Sequence, residues 1–258
     1  MKHVCAAILI FTACAPAGEA HDPANAIEQP AATTDSPIAS TIEEQDAVSG
    51  LISLPQVFGT ETCAPFTPSD VTLYAGPDSS AIIGRISVDT PWTQHPNGGC
   101  EALSVKVYLT DTETAAELPT LEYSYEAPAA VVLQRRGPWF KIRLGEQSAW
   151  IHATEQNQFF PLQELLAGNL AYVANADGAG LAAAPGAERT TAADLLGAER
   201  SVNVLEARTV GERLWLRVAV QSHSPCEGPE DPATVAEGWL PAHTATGEPT
   251  VWFYSRGC

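Results

Sequence analysis

The chain has 258 residues and a formal charge of -18, with 13 Lys and Arg against 31 Asp and Glu. A surface of that sign repels phosphate backbones, which excludes nucleic acid as a partner and leaves no basic stripe to steer one. The length suits two small domains with separate cores.

Met1-Lys2-His3 is a short basic start. Val4 to Phe11 is an apolar run of signal-peptide length, too short to span a bilayer as an ordinary helix. The run ends in Phe11-Thr12-Ala13-Cys14, which resembles the bacterial lipobox although Phe11 stands where Leu is commoner. The resemblance implies that Cys14 becomes the lipidated first residue of the mature chain and its membrane anchor. The other reading is an ordinary signal peptide cleaved near Ala15-Pro16-Ala17-Gly18. By the same resemblance, Ala15 after the Cys sorts the protein to the outer rather than the inner membrane, with the chain on the periplasmic face. Residues 15–50 lack aromatic side chains and are rich in Ala, Pro, Thr, Ser, Glu and Asp, so burial there cannot offset the entropy of ordering. They read as a disordered tether reaching about 30 to 35 Å as a flexible coil.

Cys5 leaves with the signal. Cys63, Cys100, Cys226 and Cys258 then form an even set in an oxidising compartment, and disulfides are expected rather than metal ligation because no CxxC pair exists. Four cysteines allow three connectivities. Cys63 with Cys100 and Cys226 with Cys258 is the expected one, since each pair falls inside one copy of the repeat described next, and each closure contributes about 3 to 4 kcal/mol.

Ordered sequence is expected from near Leu51. Val71 to Tyr74 reads as a strand entering a turn at Ala75-Gly76-Pro77-Asp78, and Ala81 to Val88 as the next strand. A turn-rich loop, Pro91 to Cys100, precedes strands over 102–109, 121–125 and 131–134. In Trp139-Phe140-Lys141-Ile142-Arg143-Leu144 a wet face alternates with a dry one. Gly145-Glu146-Gln147-Ser148 then leads to the strand Ala149-Trp150-Ile151, which makes a hairpin. Pro161 to Leu166 has helical spacing, and Gly168 ends it. Strands are expected again over 170–173, 201–207, 214–220, 239–240 and 251–254, with a helical turn at 192–196. The hairpin grammar recurs as Leu214-Trp215-Leu216-Arg217-Val218 followed by Gly238-Trp239-Leu240. Leu181-Ala182 to Gly186 occupies the place of Leu73-Tyr74 to Pro77 without the Tyr.

Leu73-Tyr74, Pro77, Ile83-Gly84-Arg85-Ile86, Trp139-Phe140-Lys141-Ile142 and Trp150-Ile151 together resemble the bacterial SH3-like domain. The match covers about half of residues 70–153, with Ala149 in place of the family's Gly and a long insertion between the early strands and the hairpin. The resemblance implies an all-β fold of two tandem SH3-like small β-barrels, the first elaborated by the insertion, with a short connecting helix. The expected boundaries are 1–14 for the signal and lipobox, 15–50 for the tether, 51–166 for the first domain and 167–258 for the second.

Nucleophile, phosphate-loop and zinc-protease motifs are absent from the sequence, and the acidic stretches at 111–113 and 227–231 do not follow a calcium loop, so no enzyme, cofactor or metal is expected. His152 and His243 read as unpaired surface residues. In the SH3-like family, a Tyr ending the first strand and a Trp opening the central hairpin line a shallow groove for extended peptides or glycan-peptide stems. The resemblance thereby points to Tyr74 and Trp139, with Tyr123 and Tyr125 as further candidates. For Tyr74 and Trp139, groove and core filling stand equal, whereas Trp150 and Trp239 read as core. The functional expectation is a lipid-anchored cell-envelope binding protein for peptidoglycan stems or a partner envelope protein. The alternatives are a structural or regulatory envelope lipoprotein that scaffolds other proteins with no small ligand and, last in rank, an enzyme with a site these motifs miss.

Overall fold

The computed structural model describes residues 46–60, 64–78, 80–91, 93, 103–112, 114–175, 180–189 and 193–256. The signal and lipobox with Cys14, the tether up to residue 45, and Cys63, Cys100 and Cys258 lie outside the described residues. The described residues belong to one compact unit.

The chain is all-β with minimal helix. Its elements run β1 (Gly50–Ile52), α1 (Pro55–Phe58), β2 (Val71–Tyr74), β3 (Ile82–Thr90), β4 (Ser104–Leu109), β5 (Ala116–Glu117), β6 (Thr120–Ser124), β7 (Ala127–Arg136), β8 (Trp139–Leu144), β9 (Gln147–His152) and β10 (Phe159–Pro161). There follow α2 (Leu162–Leu166), β11 (Leu170–Val173), a 3-10 turn (Ala193–Leu196), β12 (Ser201–Val210), β13 (Arg213–Gln221), β14 (Thr234–Pro241) and β15 (Val251–Phe253). Ten strands make a sheet curled into a half-barrel, in the order β10-β1-β7-β8-β9-β2-β3-β4-β5 with β6 also on β7. Five make a second antiparallel sheet, β14-β13-β12-β11-β15.

The expected hairpin forms. Phe140 and Ile142 are buried while Trp139 and Lys141 stand on the other face, as the alternation requires. Its loop is tighter than expected: Leu144 pairs with Gln147, so only Gly145-Glu146 turn, with Gly145 at a φ of 84. Expected strands at 102–109, 121–125, 131–134, 170–173, 201–207, 214–220 and 251–254 appear as β4, β6, β7, β11, β12, β13 and β15.

The repeat seen in sequence is carried into the pairing. The order β10-β1-β7-β8-β9 in the large sheet matches β15-β11-β12-β13-β14 in the small one. Lys141 pairs with Trp150 as Arg217 pairs with Trp239, and Phe140 with Ile151 as Leu216 with Leu240. Register slips after Val132 in β7 and after Val204 in β12, so a bulge repeats as well. Tyr74 then bridges Trp150, and Ala182 bridges Trp239. β4 and β5, which lie in the insertion, extend the sheet beyond β3 on the first copy's side.

β1 and β7 form the wall between two cores. Leu51, Ala129 and Val131 face a cluster that also holds Leu162, Leu165 and Leu166 of α2 with Val202, Val218, Leu240 and Trp252 of the second sheet. Ile52, Ala130 and Val132 point the other way, toward Leu73, Ile86, Phe140 and Ile142. A strand covered on both faces reads as a continuous apolar run, which is why Ala129 to Val132 shows no alternation. The segment before β1 ties the two sheets together. Val48 N–H donates to Gly247 O (3.1 Å), Ser49 N–H to Val132 O (2.8 Å), and Leu162 N–H to Ser49 O (2.9 Å).

Candidate aromatic groove

Tyr74 closes β2 and Trp139 opens β8. β9 lies between them, since Tyr74 pairs with Trp150 and Trp139 with His152. The two candidate rings meet edge to face, with centroids 5.1 Å apart and planes at 84°. Trp139 in turn meets the His152 imidazole at 4.9 Å and 80°. Tyr74 and Trp139 are half-buried, and neither belongs to a core cluster. They line an open groove of about 800 Å³ with Asp70, Thr72, His152 and the loop that carries Thr154 and Asn157.

That loop is held from beneath. Asn157 Oδ1 accepts from Thr154 N–H (2.8 Å), and its Nδ2 donates to Ser53 O (2.9 Å). Gln56 and Asn157 exchange amide hydrogen bonds at 3.1 and 3.0 Å. A closed polar network of this kind fixes the groove wall before any ligand arrives. Of the two acidic lining residues, Asp70 is paired with Arg85 at 3.2 Å, and Glu155 is exposed.

Tyr123 and Tyr125 stand elsewhere. They line a smaller cavity of about 290 Å³ with Leu54, Pro55, Phe58 and Pro128. Tyr123 stacks on Phe160 with centroids 4.2 Å apart, and the guanidinium of Arg256 lies 5.8 Å from the Tyr125 ring centroid. The four sequence candidates therefore form two pairs in two places, because β6 pairs with residues 127–130 of β7 whereas β8 pairs with residues 132–136, farther along the same strand.

Trp150 and Trp239 are buried, 6% and 7% exposed, yet neither belongs to a core cluster. Each is roofed by an arginine. Arg136 lies 5.6 Å from the Trp150 ring centroid and Arg208 5.1 Å from that of Trp239. Sequence reasoning missed Arg136 and the Gln56–Asn157 pair. In the second copy, Ala182 leaves no ring at the Tyr74 place, and Trp215 is 7% exposed.

His243 is not a free surface residue. Its Nε2–H donates to Val48 O at 2.7 Å, which holds the segment before β1. Burial pushes its pKa down, against smaller opposing effects of the Val48 hydrogen bond and the Glu248 charge. Cys226 is disulfide-bonded, and every other cysteine lies outside the described residues. Among the described residues there is no group of three or more His, Cys, Asp or Glu placed to hold a metal ion, and no helix is long and apolar enough to cross a membrane.

Comparisons with protein-family models, with curated proteins and with solved structures found no match to this chain.

Proposed function

We propose that the chain is a lipid-anchored cell-envelope binding protein whose two copies are SH3-like modules, and that the first copy holds an extended peptide or peptidoglycan stem in the Tyr74–Trp139 groove. The observation that carries this reading is the edge-to-face pair of half-buried rings over a groove whose wall is already hydrogen-bonded. Large rigid aromatic faces give contact area at little entropic cost, and a preset wall lowers the cost of ordering on binding. The repeated strand order and the matching Tyr74–Trp150 and Ala182–Trp239 bridges support the tandem-module reading. The second copy, without the Tyr, serves to build the shared core.

Sedimentation with purified sacculi tests the reading. Tyr74→Ala is expected to weaken binding by about 2 kcal/mol, roughly thirtyfold, and to leave the melting temperature nearly unchanged. Trp239→Ala is expected to cost about 3 to 5 kcal/mol of stability instead. Absence of binding by the wild-type protein would return the account to an envelope scaffold with no small ligand. Unfolding by Tyr74→Ala would make that ring part of the core.

A further inference from the structure

The two copies differ at one place that bears on what the groove takes. In the second copy, Arg208 lies over Trp239 and is paired with Trp215 across the ladder. Its Nε and Nη2 both donate to Glu206 Oε1, at 3.0 and 2.5 Å. In the first copy, Arg136 lies over Trp150 and is paired with Trp139 in the same way. The residue matching Glu206 is Gln134, because Gln134 pairs with Lys141 as Glu206 pairs with Arg217, each directly after the bulge. The same stacked guanidinium therefore has a built-in carboxylate in one copy and an uncharged amide beside it in the other.

Arg136 is exposed, and among the described residues its side chain makes no ion pair or hydrogen bond. The other cations of this face are taken. Lys141 is paired with Asp46, and Arg143 holds Glu248 by two hydrogen bonds of 3.1 and 2.6 Å. Arg135, its neighbour on the opposite face, donates to Gly137 O and stacks on Phe140 and Phe159. An arginine without a carboxylate is notable where acidic residues outnumber basic ones 31 to 13. A guanidinium fixed on an aromatic face keeps its N–H edge free for a planar anion.

We propose that Arg136 is a carboxylate-binding position, so that the first copy's groove takes a ligand with a free carboxylate at the Arg136 end and its body against Trp139 and Tyr74. The carboxylate would sit where Glu206 sits in the second copy. The ligand class rests on the groove reading above, whereas the anion site stands on the comparison of the two copies. Arg136 does not itself line the groove but pairs with Trp139, which does, and the acidic lining residues Asp70 and Glu155 disfavour an anion within the groove.

The site is tested by NMR on the whole protein, titrated with N-acetylglycine and, as the uncharged control, N-acetylglycinamide. The acid is expected to move the Arg136 Nε–H and Trp150 indole signals saturably, and the amide to leave them in place. Gln134→Glu installs the second copy's carboxylate and should weaken the response about tenfold or more. Arg136→Gln should abolish it, and Glu206→Gln should create a new response at Arg208. No saturable response at Arg136, or one that Gln134→Glu leaves intact, overturns the proposal. A second arm uses sacculi whose carboxylates have been converted to methylamides. Wild-type protein that binds these as well as untreated sacculi overturns the carboxylate ligand. A response to N-acetylglycine without any sacculus binding supports the anion site and removes the peptidoglycan reading.

Discussion

His243 shows how a residue can read as a bland surface group and still hold the architecture. Its imidazole donates to the Val48 carbonyl, and Val48 N–H donates to Gly247 O, so the chain entering β1 is gripped from the second copy. Burial, the largest influence on the ring, lowers its pKa, and among the described residues the Glu248 charge works in the other direction. The unfolded chain therefore takes up the proton first. Stability from this residue is whole above about pH 6.5 and is lost as the pH falls from there through the lower folded-state pKa. Urea denaturation at pH 7.5 and pH 5 should show a larger loss in the wild type than in His243→Gln, which keeps an amide donor but does not titrate. Equal losses in both would show that the imidazole stays uncoupled from folding.

At the scale of elements, the two copies differ where the third strand of each repeat meets the strand beside it. Gly238 in β14 leaves no room for a side chain: an added Cβ would lie 2.9 Å from Leu181 Cβ and 3.0 Å from Ala182 O. Neither neighbour is the far end of a flexible side chain. At the matching place in β9 the first copy carries Ala149, which is accommodated and buried. Gly238→Ala should therefore destabilise by about 1 to 3 kcal/mol, read as a lower urea midpoint. An unchanged midpoint would contradict the packing described for that bridge.

The sequence made β8 and β9 legible because a half-buried hairpin writes its period into alternating side chains. β1 was not legible. Three residues, Gly50 to Ile52, carry no period, and their burial on both sides comes from β7 and β10, which arrive much later in the chain. Tyr74 and Trp139 could be singled out from local motif positions. The separate seat of Tyr123 and Tyr125 depends on which stretch of β7 receives β6, and the interest of Arg136 depends on a register match across two bulged ladders.

For the whole molecule, the repeat is joined rather than strung. Leu51, Ala129 and Val131 of the first copy share one cluster with Val202, Val218 and Leu240 of the second. Ion pairs cross between the copies outside that core. Arg143 in β8 grips Glu248, and Glu122 in β6 accepts from Arg256 Nε (3.0 Å) and Ser255 Oγ (2.8 Å). The Arg256 hydrogen bonds hold the Glu122 carboxyl below its usual range. The two copies share one compact unit, and the binding proposed above belongs to the first copy alone. Five of the six tryptophans report on that proposal directly, since Trp139 and Trp150 belong to the first copy and Trp215, Trp239 and Trp252 to the second. Soluble muropeptides released from digested sacculi should shift the indole signals of Trp139 and Trp150 and leave the other three in place. Shifts centred on Trp215 or Trp239, or no shift in any of the five at saturating muropeptide, would contradict it.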